Sequence, residues 1–500
     1  MIKILSAEQI READRYTMEH EPISSTNLME RAATAFVEIF SATYSSTNSI
    51  HIFCGFGNNG GDGLAIARLL LQKNYSVAVY LLADSNNYSA DLLVNLARLK
   101  EINEQCIHYV ATVADVNAIS DNAIIVDALF GSGLNRSLTG LHAEVVTFLN
   151  NQKNIRVAVD IPSGLFADSV SEGLIFSADH TITFHQPKLS FLFPENFSVV
   201  GRWETAAIGL HKDFIESVPT LHFIPERADV KAMLPARGKF DHKGTFGHAF
   251  IHAGNHGKMG AGILCSAACM RTGAGLTTVH VPEKTENILN GAIPEVMTLS
   301  YSEKIRKEYN WTGFSAAGFG PGIGTDKTAV NIFLHLIKNV SVPTVFDADA
   351  LNIISRQKKG LNLLPKHCII TPHLKEFERL AGQTNNWYER HQRQLQISKQ
   401  HSIYIILKGA FTCITTPEGL SYFNPTGNPG MAKGGSGDVL TGIIAGLLAQ
   451  HYNPLHACLL GVYLHGLAGD IAVNKTSLQS LSASDIIANI GNAFNSLSAE

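Results

Sequence analysis

The chain of 500 residues has no block of lysine or arginine, no paired cysteine pattern and no apolar run expected to reach a membrane span, and each shortage narrows the reading. Its 39 Lys and Arg against 43 Asp and Glu give a net charge of −4; without a basic stripe there is no electrostatic footprint for nucleic acid. Seven cysteines, odd in number, scattered and set mostly in apolar stretches, exclude a disulfide framework and fit reduced core thiols. Cys265 and Cys269 lie one helical turn apart, but no second pair with zinc spacing accompanies them. Arg11, Glu12, Asp14 and Arg15, soon after Ser6, read as an amphipathic helix rather than a signal peptide. The expectation is a cytoplasmic protein with neither membrane nor nucleic acid as partner.

What is present is a 45% hydrophobic chain longer than one core serves, so two or three domains are expected. Short β-branched runs at 50–54, 77–82, 123–126, 155–159 and 180–184 alternate with helical patterns. That rhythm implies an α/β layered domain with parallel strands and ligands at their carboxyl ends. It lapses over 211–235, which carries Pro219, Pro225 and Pro235. A second series follows at 248–252, 276–281, 315–319, 344–346, 368–371 and 404–407. Domains over 1–215 and 225–500 are therefore expected, the first a Rossmann-like αβα layer.

Gly55-Phe56-Gly57-Asn58-Asn59-Gly60 matches a dinucleotide fingerprint between a strand and a helix, with Asp84 near the end of the next strand. The continuation Gly61-Asp62-Gly63 argues against it, because a carboxylate is an odd neighbour for a bare pyrophosphate, and Asp84 lies rather far along. Two further strands end in Asp beside a flexible turn, at Asp127 and Asp160, the latter followed by Ser163. Parallel strands deliver such residues to one edge, so Asn59, Asp127, Asp160 and Ser163 could converge as oxygen ligands for a hard cation. Singly, each Asp could equally cap a turn. In the second half, Gly434-Gly435-Ser436-Gly437-Asp438 opens into the apolar helix pattern 439–448. Its amides suit a phosphate, and Asp438 there suits a base that takes a proton from a hydroxyl in line with the transferring group. An ordinary helix start, with Asp favoured by the dipole, is the competing reading.

Asn58-Asn59-Gly60-Gly61-Asp62-Gly63, Asp127-Ala128-Leu129-Phe130-Gly131 and Asp160-Ile161-Pro162-Ser163-Gly164, in that order, resemble the epimerase domain of bifunctional NAD(P)H-hydrate repair enzymes. The resemblance implies interconversion of the R and S forms of NADHX and NADPHX, hydrated at nicotinamide carbon 6. It implies hydrate contacts from Asn58, Asn59, Gly60, Gly61 and Asp62, from Gly131, Ser132, Gly133, Leu134, Asn135, Arg136 and Ser137, and from Asp160. It further implies a potassium ion on Asn59, Asp127 and Ser163. Asp160 is the candidate acid/base; Lys188 either stabilises negative charge or pairs with a surface acid.

The resemblance continues through Lys243-Gly244-Thr245-Phe246-Gly247, Gly318-Phe319-Gly320-Pro321-Gly322-Ile323-Gly324, Asp347-Ala348-Asp349-Ala350-Leu351, Thr371-Pro372-His373, Lys408-Gly409-Ala410 and the run from Asn428 to Asp438, which resemble a ribokinase-like dehydratase. Ser436 stands where that family usually has Thr, and a hydroxyl is kept. The resemblance implies the S hydrate against Ala261, Gly322, His373 and Asp438. It places ADP, with Mg²⁺, against Lys408, Gly409, Ala410, Phe411, Thr412 and Gly437, although the residues do not exclude ATP. A homo-oligomer is expected. Two other classes stay open: a small-molecule kinase, distinguished by a stable phosphorylated product, and a non-catalytic nucleotide-binding module, which Asp438 beside its glycine turn disfavours. A dehydrogenase is disfavoured because no catalytic constellation follows the Gly-Asn loop.

Overall fold

The computed structural model describes residues 1–83, 88–302 and 309–498. Asp84 lies outside them. Two compact units are formed, Lys3–Thr220 with Asn386–Tyr388, and Met1–Ile2 with Leu221–Asn385 and Glu389–Glu500. The proline-bearing stretch between the two series is not irregular: it holds the short helices Lys212–Ser217 and Arg227–Ala232 around the strand His222–Ile224.

Among the described residues of the first unit, seven parallel strands lie in the spatial order Ile107–Val110, Ser76–Leu82, Ser49–Cys54, Ile124–Ala128, Ile155–Val159, His180–Phe184 and Arg202–Ala206. The order reverses between Ser49–Cys54 and Ile124–Ala128, and such a reversal opens a crevice at the carboxyl ends. Gly55 is required there, since a Cβ on it would lie 2.0 Å from the Leu129 carbonyl oxygen. The N-terminal helix forms as Ala7–His20, started by a reciprocal capping box between Ser6 and Gln9.

In the second unit Tyr404–Leu407, Ile369–Ile370, Thr344–Phe346, Ala316–Phe319, His248–His252, Leu276–Pro282 and Met297–Tyr301 run parallel in that order. The antiparallel strands Cys413–Thr415 and Ser421–Phe423 extend the Tyr404–Leu407 side. Here the order reverses between Ala316–Phe319 and His248–His252. Helices Met259–Thr272 and Ser436–Ala449 cover the sheet and touch through small residues. A Cβ on Gly442 would fall 2.0 Å from the Cys265 carbonyl oxygen, so Cys265 and Cys269 are packing residues; all seven cysteines are free and buried. Gly442→Val should separate the two helices and cost about 1–3 kcal/mol, read as a lower denaturant midpoint. Helix Pro454–Val473 is long and apolar enough to cross a membrane, where the sequence reading expected no such run; 67% of its apolar window is buried inside this unit, which accounts for the composition.

Candidate active sites

At the reversal point of the first sheet, the Asn58–Gln72 helix begins beside the end of Ile124–Ala128. Asp127 is fully buried and accepts from the Ser163 hydroxyl (2.7 Å) and amide (2.8 Å) and from the Leu129 amide (3.1 Å). The Ser163 hydroxyl in turn accepts from the Phe130 amide (2.9 Å). Burial pushes the Asp127 carboxyl up to about 6 against these donors, and no cation pairs with it among the described residues. Asn59 is 8% exposed, with its side-chain nitrogen unpartnered and its oxygen beside Gly131. The structure therefore brings Asn59, Asp127 and Ser163 to the same strand-end crevice. No group of three or more His, Cys, Asp or Glu suited to a metal occurs among the described residues. An oxygen-only set with one buried, cation-free carboxylate fits a hard ion of low charge rather than a transition metal.

The same edge carries an ion pair. Lys188, 1% exposed, donates to Asp160 Oδ1 at 2.7 Å; Thr183 (3.2 Å) and the Phe184 amide (3.0 Å) reach the same oxygen. Lys188 thus pairs with a buried acid, not a surface one. Burial pushes Asp160 up, but Lys188 and these hydrogen bonds outweigh it and hold the carboxyl below its ordinary range. Asp160 sits at φ 65° and His185 at φ 63°, left-handed conformations that cost a non-glycine residue about 1–3 kcal/mol and cluster at functional sites. Two more carboxyls sense this pair. Burial and the Asp160 charge push Asp14 up to about 6, and the same causes, with Asp14 itself and Asp91, push Asp62 well above its ordinary value. Asp14 escaped the sequence reading because it lies on an amphipathic helix whose charges look solvated. Of the 131–137 segment, Ser137 donates to the Glu172 carbonyl (2.9 Å), Gly133 lies near the Arg11 guanidinium, and Asn135 and Arg136 are exposed.

In the second unit a cavity of about 780 Å³ is lined by Asp438, Gly437, Lys408, Gly409, Ala410, Thr412 and His373. Phe411, Ala261 and Gly322 do not line it. Ala261 and Gly322 instead abut one another, since a Cβ on Gly322 would lie 2.8 Å from that of Ala261. Gly435, at φ 94°, lets the chain turn sharply into Ser436–Ala449. Asp438 follows in the first turn, where burial and the charges of Asp347 and Asp349 push its carboxyl up to about 6 although Lys408 pulls it down. The Ser436 hydroxyl meets His465 Nε2 at 3.3 Å. His373 caps the Leu374–Ala381 helix: its amide donates to Glu376 (2.9 Å) and its Nδ1 accepts from the Glu376 amide (3.3 Å). Asp347, Glu376 and His465 also line the cavity and carried no role in the sequence reading. Asp347 belongs to the Asp347–Leu351 motif; Glu376 and His465 have no local signature.

Residues 25–190 match the family described as YjeF-related protein N-terminus, and 249–492 match NAD(P)H-hydrate dehydratase. The bifunctional NAD(P)H-hydrate repair enzyme Nnr of Moorella thermoacetica is 35% identical, over 97% of this chain and 95% of its own length. That of Vibrio cholerae is 34% identical over 98% of both. The chain belongs to the bifunctional NAD(P)H-hydrate repair enzyme family. A crystal structure of the ADP/ATP-dependent NAD(P)H-hydrate dehydratase of Bacillus subtilis, co-crystallised with ATP and Mg²⁺, is 30% identical, covers 55% of this chain and 98% of its own, and superposes with a TM-score of 0.50. The protein is thus a two-activity α/β enzyme of that repair family, with a Rossmann-like layer followed by a ribokinase-like one.

Proposed function

We propose that the 1–215 part epimerises R- and S-NAD(P)HX and that the 225–500 part dehydrates the S form, with ADP as phosphoryl donor. The observation that carries the second assignment is Asp438, a carboxyl shifted to about 6 in the first turn of a glycine-started helix over an open cavity. Hydroxide is a poor leaving group. Asp438 takes the proton of the carbon 6 hydroxyl as its oxygen bonds to the β-phosphorus of ADP, and AMP departs. The glycine amides of this turn would meet the charge that develops, the Ser436 amide being turned to the Lys433 carbonyl. The nitrogen lone pair then expels phosphate from carbon 6, a proton leaves carbon 5, and the dihydronicotinamide is restored. The hydrate is assigned to Ala261, Gly322, His373 and Asp438, and MgADP to Lys408, Gly409, Ala410, Phe411, Thr412 and Gly437.

In the first part the hydrate is assigned to the 58–62 and 131–137 loops and Asp160. Asp160, kept ionised by Lys188, serves as base rather than acid, so the proton for the leaving hydroxyl must come from a carboxyl that stays protonated. Asp62 meets that need, with Asp14 beside it. The ring nitrogen drives out hydroxide as water using the Asp62 proton; water returns on the opposite face and gives its proton to Asp160, and solvent re-equilibrates the pair. Asn59, Asp127 and Ser163 would hold potassium, whose charge would order the Asn58–Asp160 crevice when bound. Asp127→Ala should lose bound potassium and epimerisation together while ADP-dependent dehydration of the S hydrate persists. Metal analysis with separate rates for the two epimers tests this; full epimerisation without the ion would detach the cation from the activity.

A further inference from the structure

Asp347 stands where an aspartate usually has a structural duty. It is the residue before helix Ala348–Ser355, the N-cap position at which a carboxylate normally accepts from the helix's own first amides. It makes no such bond. The helix starts instead with Ala348 at φ 48°, a left-handed conformation for a residue with a side chain. Both carboxylate oxygens turn away. Oδ1 accepts from Lys408 Nζ at 2.9 Å, and Oδ2 from the Thr441 hydroxyl at 2.8 Å. Thr441 lies one turn beyond Asp438 on the same face of its helix and also donates to the Gly437 carbonyl (3.1 Å).

One carboxylate, 1% exposed, thus ties the end of strand Tyr404–Leu407 to the second turn of helix Ser436–Ala449. Gly437 fits between: a Cβ there would lie 3.2 Å from Lys408 Nζ and 3.5 Å from Asp347 Oδ2. A buried ion pair is weak evidence of stability, and this one forgoes a helix cap and accepts backbone strain. We propose that Asp347 is a positioning residue of the dehydratase, holding Lys408 against the nucleotide phosphates and fixing a carboxylate beside the helix start that carries Asp438. The proposal rests on Asp438 being the base.

The groups that face Asp438 or its partners are Asp349 on helix Ala348–Ser355, Lys408, Glu376 and His373 on the Leu374–Ala381 helix, His465 behind Ser436, and Cys265 on helix Met259–Thr272. Among the carboxylates, Asp347 is the largest contributor to the rise at Asp438, and Lys408 opposes it. Removing the Asp347 charge while keeping its shape therefore lowers the proton affinity of the base. In Asp347→Asn the acid limb of kcat for the S hydrate should move down by about half a pH unit or more, and KM for ADP should rise several-fold as Lys408 loses its anchor. Thr441→Val cuts the tie and keeps the charge, so kcat should fall with the limb in place.

Circular dichroism and a thermal melt of the same preparations report that the chain has folded. A limb that stays put in folded Asp347→Asn overturns the proposal. If that variant does not fold, Thr441→Val decides, and an unchanged kcat there overturns the positioning role. Asp438→Asn run alongside separates the two claims: turnover retained in it means the base assignment has failed, and turnover lost in it with an unmoved Asp347→Asn limb means only the present proposal has.

Discussion

Asp438→Asn is expected to lower ADP-dependent dehydration by ~10²-fold or more while nucleotide binding survives, the usual scale for loss of a general base. The asparagine keeps the size of the side chain in a helix start tied to His465 by Ser436 and to Asp347 by Thr441, so the phosphate cradle is not disturbed. What disappears is the proton acceptor. Burial and the neighbouring Asp347 and Asp349 place the carboxyl near 6. Its ionised form is the active one, so wild-type kcat should climb as pH rises through about 6 and level off near neutrality. The variant should lose that limb along with the rate. Steady-state kcat between pH 5 and 9, with ADP binding by calorimetry, checks both parts; near-normal turnover would take the base role from Asp438.

The sequence showed the strands that are buried on both faces to within a residue or two. Ser49–Cys54, Ile124–Ala128 and His248–His252 are mostly apolar or β-branched, interrupted only by Ser49, His51, Asp127, His248 and His252, as suits central parallel strands. It did not show Ile107–Val110 and Met297–Tyr301, whose outward residues are polar or partly exposed at the sheet edges, or the three-residue strands Cys413–Thr415 and Ser421–Phe423, too short to carry a period. The same boundary runs through the sites. Asp438 and the Gly-Asn loop announce themselves because glycine clusters beside acids are rare local patterns. Asp347 does not, since an Asp before a helix reads as a cap and only the folded chain shows it turned toward Lys408, 61 residues away. Asp160 looked able to act as acid or base. The choice depends on Lys188, 28 residues on, and no local pattern links the two.

The epimerase should answer pH in the opposite sense to the dehydratase. Its acid, Asp62, must be protonated to release the hydroxyl as water, and burial together with Asp160 and Asp14 holds its proton on. Its base, Asp160, is already ionised below the ordinary carboxylate range. Epimerisation should therefore be sustained at mildly acidic pH, where dehydration fails for want of ionised Asp438, and fall as pH rises through the elevated value of Asp62. Asp62→Asn removes the proton donor and leaves the Lys188–Asp160 pair intact, so it should cost ~10²–10⁴-fold in epimerisation with little loss of stability. Asp160→Asn should lose the activity too, but it strands a buried Lys188 and should destabilise the chain by about 3–5 kcal/mol, which makes it the poorer probe. The measurement is the rate at which the R hydrate becomes available to excess dehydratase across pH, with a thermal melt of each variant as the control for folding. An epimerisation rate that rose with pH through 6, as dehydration should, would mean that neither Asp62 nor Asp14 supplies the proton.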